Sequence, residues 1–392
     1  MTLTATELSE WSGAGDDRGG AKESAAPRRT STLTQRLSTI GPLIGIAVLA
    51  LLLLVWAPST LSTFRLSNLG RYCALGLASM GIGLAWGRGG MLVMGQGVFF
   101  GLGAYAMAMH MKLEVAGPDG VPDFMMLYGD GTMPTWWEPF RSGPFTLFAI
   151  VALPVVVSFL LGLAILKRRV KGAYFAILTQ AMAVAFATLL VATIKQTGGF
   201  NGLNSFSTVF GHNLYDPTVQ KNIYRVAAGL VIVFLVILWQ LYRSRFGELL
   251  VATRDAEERV RFLGYDPANI KLVAFMVASV MASIGGAMFV PIAGIISPTN
   301  VDASASIFLL AGVALGGRAS LFGPALGAIA VGYGRSTLSE NFPTQWTYFL
   351  GGLFIVVVVL LPGGVASLWP KLRVRWSSST KRSVPAKAGV ST

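Results

Sequence analysis

Ten apolar runs, most of them close to 20 residues long, divide this chain and decide what it can fold into. A hydrocarbon core about 30 Å thick is crossed by about 20 helical residues. Runs of that kind lie near 41–60, 66–86, 91–111, 145–166, 172–194, 223–242, 268–292, 304–317, 321–339 and 346–366. In lipid every backbone N–H and C=O needs a partner inside the protein, so the chain reads as all-α: a polytopic helical membrane protein with about ten transmembrane helices. The run at 304–317 is short and the one at 321–339 is Gly-rich, which leaves either open to being a broken or re-entrant helix inside the bundle. A content of 53% hydrophobic and 12% charged residues, with mean hydropathy +0.62, excludes an ordinary soluble domain.

The formal charge of +13 has to be read by position. With a cytosolic N-terminus and ten alternating spans, 23 of the 31 Lys and Arg fall on the cytosolic side. That asymmetry is the positive-inside pattern, and it accounts for the basic composition without nucleic acid as a partner. Both termini are then cytosolic. Residues 1–39 are polar and lack an aliphatic run, which reads as a disordered cytosolic tail, and 369–392 read as a second, basic one. The first tail is long and carries acids, which argues against a cleaved signal peptide. Between the tails lies one transmembrane domain, 40–368.

Catalytic chemistry finds no foothold in the sequence. Cys73 is the single cysteine, and His110 and His212 are too few and too separated for a zinc site, so no metal site is expected. No phosphate-binding GxxxxGK[ST], GxSxG or HExxH motif occurs. Arg71, Arg225, Arg335 and Glu340 lie toward helix ends, and no ionisable relay crosses the bilayer, so energy for any pumping must enter from elsewhere. Neutral polar groups do occur at depth. Phe175, Thr179 and Phe186 share one helical face with Gln180 beside it, and Gln96 lies at comparable depth; such a face could pass a small neutral solute or simply bond between helices. Gly97/Gly101, Gly312/Gly316 and Gly323/Gly327 are GxxxG pairs, which report close helix packing.

Three excursions leave the bilayer. The external one, 112–144, is acidic and punctuated by Pro and Gly, so turns are expected. Trp136 and Trp137, followed by Glu138, are either an interfacial aromatic belt or a docking surface for an external protein. The second, 195–222, contains TGGFNGLNSF, suited to ending a helix or to offering backbone amides to a polar solute.

The third, a cytosolic region at 243–267, is a charged island between two spans. Arg254/Glu258, Asp255/Arg259 and Glu257/Arg261 are spaced i,i+4, which predicts one solvated helix from Glu248 to Leu263. Gly264 supplies a left-handed cap, and Asp266-Pro267 is an N-cap with first-turn proline for the next span. Taken alone, this helix could lie on the bilayer surface or meet another protein.

Three motifs, GELLVATRDAEERVRFLGYDPANIKLVAF, AGVALGGRASLFGPALGA and KGAYFAILTQ with TGGFNGL, together resemble the permeases of ABC importers for branched-chain amino acids and their relatives, over roughly 66–366. The external VPDFMMLYGDGTMPTWWEPF and the segment MGQGVFFGLGAYAMAMHM are similar to the urea-importer subunits of that LivM-like group. The resemblance implies a permease, not an enzyme, with no cofactor of its own; ATP and Mg would belong to separate ABC ATPase subunits. It further implies a second permease subunit in a heterodimer, an external solute-binding protein, and a place in the cell (cytoplasmic) membrane. The island would be a coupling helix, with Glu248, Arg254, Asp255, Glu257, Glu258, Arg259, Arg261 and Gly264 at the ATPase contact. Gln96, Phe175, Thr179, Gln180 and Phe186 would line the translocation path, and Trp136, Trp137 and Glu138 would meet the binding protein. Urea or short-chain amides are the expected solutes; import of branched-chain amino acids and a passive urea channel are the competing readings.

Overall fold

The computed structural model describes residues 32–342 apart from Arg169 and Lys171, and beyond them 344, 345, 348, 349, 351, 352, 355, 364 and 365. Most of the expected tail at 1–39, most of the apolar run at 346–366 and the whole tail at 369–392 lie outside the described residues. The chain divides into two units, 1–44 and 45–392. The described part of the first is helical from Thr32, so helix reaches into the segment expected as tail. The second unit carries the helical bundle.

The apolar runs become helices. α1 (Thr32–Leu51) continues through a π-helical turn, Leu52–Trp56, to Thr60. α2 (Thr63–Ile82) ends in another π-helical turn, Gly83–Arg88; α3 is Gln96–Ala116, α4 Gly143–Leu166, α5 Ala173–Ala192 and α6 Pro217–Arg243. The island forms α7 (Arg245–Asp255) and α8 (Glu257–Phe262), followed by α9 (Pro267–Ala293), α10 (Ala303–Gly316) and α11 (Gly323–Asn341). Six stretches among the described residues are long and apolar enough to cross a membrane. Their starts follow local chemistry: Asp216 and Asp266 each accept a backbone N–H two residues on, with proline in the first turn, where its missing donor costs nothing.

α9 is the centre of the bundle, packed on α2, α3 and α4. Lipid supplies no hydrophobic drive between helices, so close approach and a few buried hydrogen bonds hold them. Small residues make the approach possible. A side chain at Gly286 would strike the Phe100 carbonyl, and one at Gly103 the Ser283 carbonyl. Ser283 Oγ donates to the Ile150 carbonyl at 2.6 Å, joining α9 to α4, and Gln96 Nε2 donates to the Ala278 carbonyl at 2.8 Å, joining α3 to α9. Such bonds are each worth about 0.6 kcal/mol in a membrane bundle. Two of the three expected GxxxG pairs meet in this way, Gly312 and Gly316 of α10 lying directly against Gly327 and Gly323 of α11, whereas Gly97 and Gly101 face Val301 just before α10. Both α10 and α11 are unbroken helices, so neither run is interrupted as the sequence allowed.

The interrupted run is the one at 91–111. Helix begins only at Gln96, and Gly89–Gly95 is irregular chain running among buried neighbours. Irregular backbone at this depth survives where protein satisfies it. Here Thr179 Oγ1 accepts from Met94 N at 3.1 Å and Ser306 Oγ from Gly97 N at 2.9 Å. Gly90 has φ +69°, which a side chain would strain, and Gly89, Gly90 and Gly95 were the available sequence signal.

At the end of the bundle opposite the island, α3 runs on to Ala116, so the excursion expected from Lys112 starts at Gly117. Lys112 is buried and holds Asp123 at 2.8 Å. The Gly-rich 198–202 stretch folds against the strand Ile295–Ile296, which pairs antiparallel with Leu203–Asn204. Gly198, at φ +79°, closes the short helix Ile194–Thr197, and a side chain at Gly202 would strike the Ile296 carbonyl. This run therefore ends a helix and seats a strand.

Candidate functional site

The island is two helices, not one. Ala256, at φ −149° and ψ 65°, breaks the expected Glu248–Leu263 helix between α7 and α8. Ser244 caps α7 by accepting from Gly247 N, and Glu248 stands in the first turn, where the helix dipole favours an acid. Of the three expected i,i+4 pairs, Glu257/Arg261 forms, at 3.5 Å, and Arg261 also holds Glu258 at 3.1 Å. Arg254 turns instead to its neighbour, with Nε at 2.7 Å from Asp255, while Glu257 reaches Lys271 on α9 at 2.9 Å. Charges that one straight helix would spend along its own face are thus used to fasten α7 and α8 to the bundle. Arg259 is exposed.

The end of α8 is a complete Schellman motif. Gly264 at φ +87° directs its own N–H to the Arg261 carbonyl at 2.9 Å and the Tyr265 N–H to the Val260 carbonyl at 3.3 Å. This sharp reversal leaves Phe262 and Leu263 standing out, 89% and 75% exposed, with Tyr265 half exposed beside them. The charged segment therefore ends in an exposed apolar tip. Sequence reading by charge passed over it, although Phe262-Leu263 immediately before the capping glycine was the visible sign.

Beside the tip a notch of about 410 Å³ is lined by Lys167, Glu257, Arg261 and Asp266. Lys167, at the end of α4, donates to Asp266 at 2.7 Å. That bond holds the Asp266 carboxyl below the usual carboxylate range, and the Arg254 guanidinium does the same for Asp255.

The island is tied to the membrane helices at one further point. Arg254 Nη1 donates to the carbonyl of Gly87 at 2.6 Å. Gly87 lies in the π-helical turn that ends α2, and a side chain there would strike the Arg318 carbonyl in the α10–α11 connection. Arg88 lies over the Tyr242 ring at 4.3 Å and Arg318 over Trp86 at 4.9 Å. The π turn is therefore gripped by the island, by α6 and by the α10–α11 connection together. Turns of this type recur at functional sites.

The deep residues expected on a path are brought together, but at joints. Gln96, Phe175 and Thr179 are buried: Phe175 packs edge-on to Phe275 at 5.8 Å, and the Thr179 hydroxyl serves Met94. Phe186 packs toward Gly101, and Gln180 is half buried. At the opposite end of the bundle Trp136 is half exposed and Glu138 exposed, whereas Trp137 is buried between Trp136 and Phe140, at ring distances of 4.2 and 5.1 Å. Trp137 thus helps to hold the segment between α3 and α4 together and leaves Trp136 at its surface.

The family model described as "Branched-chain amino acid transport system / permease component" matches residues 65–359. The chain is 30% identical over 329 residues to the high-affinity branched-chain amino acid transport system permease protein LivM of Escherichia coli (strain K12), covering 78% of this chain and 70% of that protein. The autoinducer 2 import system permease protein LsrC of Photorhabdus laumondii is 28% identical over 36% of this chain and 44% of its own length. The fructose import permease protein FrcC of Rhizobium meliloti is 24% identical over 39% of this chain and 43% of its own length. No solved structure matches the chain.

Proposed function

The chain belongs to the family of branched-chain amino acid transport system permease components, and on that premise we propose that it is the membrane-spanning subunit of an ATP-driven, binding-protein-dependent importer whose solute is urea or a short-chain amide. The chain itself carries no phosphate loop, so ATP and Mg act in separate ATPase subunits. A second, related permease completes the pore, and an external protein delivers solute against the cap near Trp136 and Glu138. Both termini face the cytosol, and the protein sits in the cytoplasmic membrane.

The observation that carries this reading is the grip of Arg254 on the π turn of α2. An ATPase seated on Phe262, Leu263 and the charged flank of α7 and α8 would move α7, and through Arg254 it would pull on the end of α2. Unwinding or rewinding one π turn changes the register of the helix beyond it, so a small push is passed along α2 without breaking its ladder. A path past Gln96, Thr179 and Gln180 opens in this reading only when α3 and α5 separate, which is the inward half of an alternating cycle.

The preference for urea rests on the external segment and on the neutral character of the deep polar groups, which suit a small uncharged planar solute. A second reading, import of branched-chain amino acids, is favoured by the likeness to LivM. Uptake of labelled urea in cells carrying the complete transporter separates them. Excess unlabelled urea should compete and excess leucine should not, and uptake should stop on ATP depletion. Uptake that survives ATP depletion points to a passive channel, and inhibition by leucine alone points to the amino-acid reading.

A further inference from the structure

The bundle holds a cavity that the path expected from sequence does not touch. It lies between α2, α9, α10 and α11, at the end away from the island, and has a volume of about 810 Å³. That is the size of sites that take small organic ligands. Its polar lining includes Arg71, Tyr72, Ser304, Arg335 and Ser336, along with Thr299, Asn300 and Ser339.

The lining has a definite chemistry. Arg71 Nε is buried without a hydrogen-bond partner, a desolvated donor facing no acceptor. Arg335 stands over the Phe308 ring at 5.1 Å. Guanidinium groups only donate, so two of them in one cavity select a ligand oxygen that accepts. Tyr72 and Ser336 hydrogen-bond each other at 2.5 Å, because Gly332 lets the Tyr72 ring lie close against α11 one turn below Ser336. With Ser304 they leave hydroxyl oxygens able to accept N–H groups, whereas the Asn300 side-chain oxygen is taken by Ser297 N and Oγ at 3.1 Å. No Asp or Glu lines the cavity among the described residues. A zwitterion would find its carboxylate matched and its ammonium without a counter-charge.

We propose that this cavity is a solute-binding site for a neutral carbonyl compound with N–H donors, its carbonyl oxygen held by Arg71 and Arg335 and its N–H groups by the hydroxyls of Tyr72, Ser304 and Ser336. The proposal rests on the import reading above for the solute's passage but not for its binding. It also gives α2 a double role. From Arg71 to Arg88 the helix covers about 25 Å at 1.5 Å per residue, so one element lines the cavity and ends in the turn that the island grips.

Cys73, the single native cysteine, is fully buried, so a thiol introduced at exposed Ser304 reports the cavity alone. In permeabilised membranes holding the full chain with its partners, the Ser304→Cys protein is labelled with a methanethiosulfonate, with urea or leucine present and no ATP. Urea should slow labelling and leucine should not. Adding Arg71→Gln or Arg335→Gln should weaken the protection by urea about tenfold, the effect of losing one charge-assisted hydrogen bond. Protection by neither solute, protection by leucine alone, protection untouched in both arginine variants, or an introduced thiol that the reagent cannot reach each overturns the proposal. Since labelling needs no energy, urea protection in a protein that fails to import would overturn the import reading and leave this site standing.

Discussion

Arg254, in the last turn of α7, donates from Nη1 to the carbonyl of Gly87 at 2.6 Å, and in doing so joins the charged island to the π turn that ends α2. The same guanidinium holds Asp255 through Nε and Nη2, so its plane is fixed by two partners at once. Only a forked, planar cation serves both.

Replacing Arg254 by Ala should therefore leave the protein in the membrane and cut energised uptake by on the order of tenfold, the cost of one hydrogen bond from a charged group. Arg254→Lys should not restore it, because a point charge cannot hold Gly87 and Asp255 together. Uptake assays normalised to membrane abundance decide the matter. Full activity in the lysine variant would reduce the contact to simple charge.

The reversal Glu257→Lys with Glu258→Lys probes the other fastening. Glu257 bridges Lys271 on α9 and Arg261 on α8, and Glu258 holds Arg261. Placing two cations beside Lys271 and Arg261 should detach α8 from α9 and uncouple uptake from ATP hydrolysis in the assembled transporter. ATPase turnover should persist while solute uptake falls. Unchanged coupling would count against the island as the point of transmission.

Close packing at α10 and α11 gives a stability prediction. Gly327 meets the Gly312 carbonyl so tightly that a methyl group cannot enter without moving backbone. Gly327→Ala should lower stability by about 1–3 kcal/mol, the usual cost of overpacking. Gly334, on the same helix with open space where a side chain would go, should accept alanine with little change. Melting of the two detergent-solubilised variants provides the comparison.

The helical architecture and the island's C-terminal end were legible because they depend on local signals, while its first helix starts at Arg245, one turn before the expected Glu248. Apolar run length gave the helices, Asp266-Pro267 and Gly264 gave the caps, and the GxxxG pairs gave the close contacts. What escaped depends on partners distant in the chain. The break at Ala256 follows from Arg254 and Glu257 finding Gly87 and Lys271 in place of the charges one turn away. Trp137 is buried because Trp136 and Phe140 fold over it, which spacing cannot tell from an outward-facing pair. Arg71 and Arg335 each read as a helix-end charge, and only the packing of α2 on α11 places both in one cavity.

The Lys167–Asp266 contact carries a pH dependence whose sign is fixed. Asp266 is held below the ordinary carboxylate range chiefly by the Lys167 hydrogen bond, so its contribution is present above about pH 4 and is lost as pH falls through the depressed value. Both side chains are almost half exposed, so the effect should be small, about 0–1 kcal/mol. Hydrogen-exchange protection in the first turn of α9, the intrinsic rate divided by the observed rate at each pH, should stay flat from about pH 5 to 8 and weaken only in acid, below the ordinary carboxylate value of about 3.9. Asp266→Asn keeps a capping acceptor and should remove the acid step. Protection that changes near neutrality would assign the dependence to another group.

The exposed tip of α8 supplies the most direct test of partner contact. Phe262 and Leu263 are 89% and 75% exposed, so neither contributes much to this chain's own packing. Buried aromatic anchors at protein interfaces cost about 2 kcal/mol or more when truncated, roughly a thirtyfold loss of affinity. Phe262→Ala should therefore leave melting of the isolated chain unchanged and weaken co-purification of the ATPase subunit, and Phe262→Asp should abolish it. The two measurements separate the roles of the residue. A fall in melting temperature would make Phe262 a packing group of this fold, and an ATPase retained at full yield by the aspartate variant would place the contact elsewhere on the island.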